Sequence, residues 1–133
     1  LIWQDLFLNR KVTRQELLLG LKNVFNVEEF QIFFTDSTWN QTIPGYVKVL
    51  CLTYICKAEF SLRITIYLRD HQLIPKNDVL IVGKLCELLK CHCLISDVGD
   101  NPYSMIQIKN SESSERVFIQ LDKYEECIDY ELL

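Results

Sequence analysis

The sequence predicts an α+β fold: a mostly antiparallel sheet of about five to six strands with two or three helices packed on one face. Three observations lead there. Thr13-Arg14-Gln15-Glu16 fits a capping box and is followed by apolar residues at helical spacing. Phe60–Arg69 alternates strictly, with Phe60, Leu62, Ile64, Ile66 and Leu68 on one face and Ser61, Arg63, Thr65, Tyr67 and Arg69 on the other. The C-terminal third is a series of short strand-like runs separated by turn residues. At 133 residues the chain is near the commonest domain size, so a single domain over 1–133 is expected.

Ile2, Trp3, Leu6 and Phe7 share one face of a helical wheel, and residues 1–26 are expected to be helical with a break at Asn9-Arg10-Lys11. After the capping box, Leu17, Leu18, Leu21, Val24 and Phe25 form one apolar stripe that Asn26 stops. Residues 30–69 read as a three-strand meander: Phe30–Thr35, Tyr46–Cys56 and Phe60–Arg69. The polar loop Asp36–Gly45 ends in the turn signature Pro44-Gly45. Asn77 or Asp78 caps a helix over 77–91, with Ile81, Leu85, Leu88 and Leu89 on its inner face. Residues 93–121 hold three short strands, Cys93–Ser96, Tyr103–Lys109 and Arg116–Leu121. The stretch 122–133 is an acidic tail or a short final helix.

Composition narrows the function classes. Apolar residues make up 49% and charged residues 24%, with four Gly and three Pro, which is ordinary globular usage rather than disorder. No apolar run approaches the roughly 18 residues of a membrane helix, so no membrane association is expected. The apolar start carries Gln4 and Asp5 and has neither a basic leader nor a small-residue cleavage pattern, so no signal peptide is expected. Six cysteines, five of them in apolar segments, read as reduced thiols of a cytoplasmic protein.

The net charge of −4 is unevenly placed. Residues 1–121 balance at 13 acidic and 13 basic side chains, whereas the last twelve hold Asp122, Glu125, Glu126, Asp129 and Glu131 against Lys123. That sign disfavours nucleic acid.

Residues that can carry chemistry are few. Cys86, Cys91, His92 and Cys93 come nearest to a metal cluster, but an extended 91–93 points Cys91 and Cys93 one way and His92 the other, unlike a chelating turn. Buried cysteines with His92 at the surface are expected instead. With only His71 and His92 available as bases, and no nucleophile elbow, phosphate loop or HExxH helix, no catalytic residue, metal or cofactor is assigned. Asp97-Val98-Gly99-Asp100-Asn101 lacks the ligand alternation of a calcium loop and reads as a turn.

Two features favour binding. Trp39, alone in a polar loop, is either a lid over the core or an exposed anchor. The acidic segment, with Tyr124 and Tyr130 interleaved, is either a solvated helix or a patch that steers a basic partner.

A small, acidic, cysteine-containing α+β domain without catalytic motifs resembles the immunity proteins that neutralise bacterial contact-dependent or polymorphic toxins. The most family-like stretch is Cys93-Leu94-Ile95-Ser96-Asp97 with Asn101-Pro102-Tyr103-Ser104. The resemblance implies a cytoplasmic, mostly monomeric protein that blocks a basic toxin domain. Its contacts would be Trp39, Asp97, Asp100, Asp122, Tyr124, Glu125, Glu126, Asp129 and Tyr130. Size, acidity and element order are also similar to the homodimeric type III secretion chaperones, although Arg116–Leu121 is a strand too many for that pattern. A small enzyme using Cys91 or Cys93 with His92 or His71 is the third reading.

Overall fold

The computed structural model describes residues 2–35, 42–57, 59–97, 103–121 and 130–132. The chain runs β1 (Ile2–Leu8), α1 (Arg14–Phe25), β2 (Ile32–Thr35), β3 (Val49–Ile55), β4 (Leu62–Leu68), α2 (Asp78–Leu89), β5 (Cys93–Ser96), β6 (Ser104–Asn110), β7 (Ser113–Leu121) and β8 (Tyr130–Leu132). Among the described residues the strands lie in the order β2-β3-β4-β1-β5-β6-β7-β8. The fold is α+β with a mostly antiparallel sheet, and each of the six expected strands is present.

The start of the chain corrects the expected helix over 1–26. Ile2–Leu8 is a strand at the middle of the sheet, antiparallel to β4 on one side and to β5 on the other. Leu6, Phe7 and Leu8 are all buried, because a central strand is covered on both faces. That removes the polar alternation by which a strand is told from a helix.

The meander over 30–69 is also corrected. A 3-10 turn at Glu29–Gln31 delays β2 to Ile32, and β2 lies parallel to β3, pairing Ile32 with Val49 and Thr35 with Leu52. Parallel neighbours need a crossover of about a dozen residues, and the chain between Thr35 and Val49 is that long. The tail differs too: Tyr130–Leu132 is a strand paired with Ile119–Leu121, and residues 122–129 lie outside the described part.

One face of the sheet carries both helices. Leu6, Leu8, Val49, Cys51, Leu62, Ile64, Ile66, Leu68, Cys93, Ile95 and Ile108 meet Leu17, Leu21 and Phe25 of α1 and Val82, Leu85, Cys86 and Leu89 of α2 in one core. The opposite face has a smaller cluster of Phe7, Phe60, Leu94, Met105 and Ile119.

Local chemistry sets the helix ends. Thr13 Oγ1 accepts the Glu16 amide at 3.1 Å, and Glu16 Oε1 accepts the Thr13 amide at 3.0 Å, completing the expected capping box. Asn26 closes α1 with φ 52°. Asn77 Oδ1 accepts the Leu80 amide at 3.1 Å, and Asp78 ties the start of α2 to β1 by accepting from Trp3 Nε1 and Gln4 Nε2 at 3.1 and 3.0 Å. Arg10 joins the ends of the two helices: its guanidinium pairs with Glu16 and donates to the last-turn carbonyl of Leu89.

Helix α2 lies so close to the β6–β7 turn that Gly83 has no room for a side chain. A β-carbon there would sit 2.5 Å from the Asn110 carbonyl oxygen and 2.6 Å from Ser111 Cα, both backbone atoms. At Gly20 the nearest atom is a Leu85 methyl at 2.9 Å, which can rotate away. Gly83→Ala is therefore expected to lower stability by ~1–3 kcal/mol, the usual cost of overpacking, despite alanine's better helix propensity. Gly20→Ala should fall well short of that loss, and urea midpoints of the two variants make the comparison.

Hydrogen bonding to Arg10, then to the Thr13 amide, holds the Glu16 carboxyl down to about 2. A carboxyl lowered on folding stabilises the fold above its unfolded value near 4.5, and that contribution fades as pH falls toward 2. Urea midpoints of wild type and Glu16→Gln should differ at pH 7 and converge only as pH falls to about 2.

Candidate functional site

Of the residues expected to contact a partner, Asp97 and Tyr130 are among the described residues. Trp39, Asp100, Asp122, Tyr124, Glu125, Glu126 and Asp129 lie outside the described residues. Tyr130 opens β8, opposite Leu121 of β7. The acidic run thus belongs to the chain between β7 and β8, the last pair of the sheet order.

Asp97 faces inward. Its side chain is only 6% exposed, and one carboxylate oxygen accepts from Ser104 Oγ at 2.6 Å and from Arg116 Nε at 2.7 Å. It fastens the end of β5 to β6 and β7. The reason is register: Ser104 pairs with Phe118 and Ile106 with Arg116, which puts Ser104 and Arg116 on one face beside the end of β5.

The same register exposes two aromatic residues that the sequence reading passed over. Phe118 is 49% exposed and Tyr103 is 50% exposed, while Ile119 between β7's neighbours is buried. The backbone N–H of Ile119 donates to the Tyr103 carbonyl at 2.8 Å, which fixes the two segments side by side. A signal was available for Phe118. Val117, Phe118 and Ile119 are consecutive apolar residues, and a strand must turn the middle one away from the face its neighbours share.

A polar constellation occupies the second face at the centre of the sheet. Asp5 Oδ1 accepts from Thr65 Oγ1 at 2.5 Å and stands 3.6 Å from the Arg63 guanidinium, which lies over the rings of Phe7 and Tyr54 at 5.7 and 5.4 Å. Burial, with Asp5 and Tyr54 nearby, raises the Tyr67 phenol. The group reads as an internally matched Arg–Asp pair rather than an acid–base pair, since its carboxylate is shared between a hydroxyl and a cation.

The thiols are the remaining candidates for chemistry. At the end of α2 the Cys91 amide donates to the Cys86 carbonyl at 3.2 Å, around Lys90 at φ 53°. This is the six-to-one closure in which the two flanking side chains touch, and here both are cysteines. Cys86 exchanges a side-chain hydrogen bond with Cys91, which lowers its proton affinity. Another with Cys93, together with burial, raises it, and the net shift is upward. Cys91 is raised by its bond to Cys86 and then by burial, and burial pushes Cys51 up to about 12. His92 stands beside them on a cleft of about 270 Å³ with Lys90 and Lys109, its backbone pinned by Asn9 on both sides. Among the described residues no group of three or more His, Cys, Asp or Glu side chains is arranged to hold a metal ion.

Cys56 corrects the expectation of uniformly reduced thiols. It is buried and disulfide-bonded, while Cys51, Cys86, Cys91 and Cys93 are free.

No known protein family, curated protein or solved structure matches this chain. Among the described residues no helix is long and apolar enough to cross a membrane.

Buried thiols react slowly, and raised ones more slowly still, because the reagent must reach a thiolate. Native protein treated with iodoacetamide at pH 7.5 should label Cys51, Cys86, Cys91 and Cys93 slowly, with no single fast site. Cys56 should resist until a reductant is added. Peptide mapping by mass spectrometry reads both outcomes.

Proposed function

We propose that this chain is a non-catalytic protein-binding module, an immunity protein that neutralises a cognate toxin domain through an acidic surface at the C-terminal edge of the sheet. The observation that carries this reading is charge segregation. The whole of the net negative charge falls in the last twelve residues, while the other 121 residues are balanced.

Such a concentration steers a basic partner over distances of about a Debye length, near 10 Å at moderate salt, and raises its on-rate. Phe118 of β7 and Tyr103 just before β6, both half exposed, supply the aromatic anchoring that charge alone lacks. A non-catalytic role is supported by the cysteines, the best nucleophiles in the chain, being buried and raised.

A cytoplasmic location is part of the proposal and rests on the four free thiols; the bonded Cys56 weighs against it. Trapping thiols in intact cells before lysis decides that part.

The main test is functional. Toxin and immunity genes are neighbours, so the gene next to this one is expressed alone and together with it. Toxicity relieved by co-expression, with a complex that weakens as salt rises, is the expected result. Reversing Asp122, Glu125, Glu126 and Asp129 to Lys should weaken that complex by about a hundredfold or more, roughly 2.7 kcal/mol. A harmless neighbour, or a complex indifferent to the four reversals, overturns the proposal.

A further inference from the structure

At the opposite end of the strand order from β8, part of the helix-bearing face lies open beside the start of α1. The uncovered surface is a cavity of about 170 Å³. Its walls are Val12 and Leu17 from the helix side and Phe34, Thr53, Ile55 and Leu62 from the sheet. Register explains the set: Phe34 pairs with Cys51, Thr53 with Ile64 and Ile55 with Leu62, so all these side chains share the face that carries the helices. Ile55 is 70% exposed, more than any other large apolar side chain among the described residues.

Two cations, Lys11 and Arg14, complete the lining. The Arg14 guanidinium lies over the Phe34 ring at 5.5 Å. Among the described residues neither cation has a carboxylate within 4 Å, although Arg10, Lys22, Lys48, Arg63, Lys109 and Arg116 each do. An apolar cavity with two cations and no acid among the described residues of its lining is complementary to an apolar tail ending in an anion. The volume allows roughly five or six groups of the size of a water or a methylene.

We propose that this cavity binds a short aliphatic carboxylate, of about five or six carbons, with its tail against Leu17, Phe34 and Leu62 and its carboxylate at the mouth between Lys11 and Arg14. The site draws on none of the acidic residues and does not depend on the partner-binding reading. Arg14 suits the carboxylate because its planar fork donates two parallel hydrogen bonds, and stacking on Phe34 holds that fork in place.

Titration of the full chain with hexanoate, followed by methyl and amide NMR shifts, tests this. Saturable one-to-one binding is expected, with shifts centred on Val12, Leu17, Thr53 and Leu62. Hexan-1-ol, which keeps the tail and lacks the charge, should bind about tenfold more weakly or worse. Arg14→Gln and Lys11→Gln, both at exposed positions, should bring hexanoate down to the hexanol level without shifting the thermal midpoint. Equal binding of acid and alcohol overturns the proposal, as does no saturation by about 10 mM, or shifts centred elsewhere. An acetylated peptide with a free C-terminal leucine is run in parallel. If it saturates the same residues while hexanoate does not, the small-acid assignment is wrong and the cavity reads chain ends instead.

Discussion

The sheet exists as one unit because of β1. Strands β2, β3 and β4 are local to the first half of the chain, and β5 to β8 to the second; the two sets meet only across Ile2–Leu8, which hydrogen-bonds to β4 on one side and β5 on the other. Leu6 and Leu8 enter the core beneath the helices while Phe7 joins the cluster on the opposite face, so the strand also links the two apolar layers. Trp3 and Gln4 extend its reach to the first residue of α2 through the Asp78 carboxylate.

The helix layer is tied down at points rather than packed uniformly. Asp78 and Glu87 fix α2 at either end: the latter accepts both the amide and the hydroxyl of Ser111, and Gly83 between them lets the helix backbone rest on the Asn110–Ser111 turn. Arg10 performs the corresponding task between α2 and α1. The acidic segment is therefore attached to a β6–β7 unit whose position α2 and Asp97 both set. The anchoring proposed for Phe118 gains from such support, because an ordered backbone loses less entropy when a partner docks.

Legibility in the sequence followed the strength of the local signal. The capping box at Thr13, the stop at Asn26 and the strict alternation of β4 are governed by nearest neighbours, and all were readable. Strand β1 was not. Trp3, Leu6 and Phe7 satisfy helical spacing as well as they satisfy a strand buried on two faces, and only pairing with residues sixty and ninety positions away selects between them. The parallel setting of β2 was hidden for the same reason, since direction is fixed by the path of the intervening chain. In the candidate surface, the charge asymmetry was visible as a count, whereas the inward turn of Asp97 depends on the β6–β7 register that brings Ser104 and Arg116 to it. The apolar cavity with its two cations was equally hidden, because its lining comes from four separate elements.

The central placement of β1 also has a kinetic side. As the chain leaves the ribosome, β1 gains its β4 neighbour once Leu68 has emerged, but its other edge stays open until Cys93 and Leu94 follow. At ~5–20 residues per second that delay is of the order of one to five seconds. For that time a strand destined for the middle of the sheet is an unprotected edge, open to pairing with another nascent chain. Synthesis speed between residues 68 and 94 therefore sets how long that edge stays exposed.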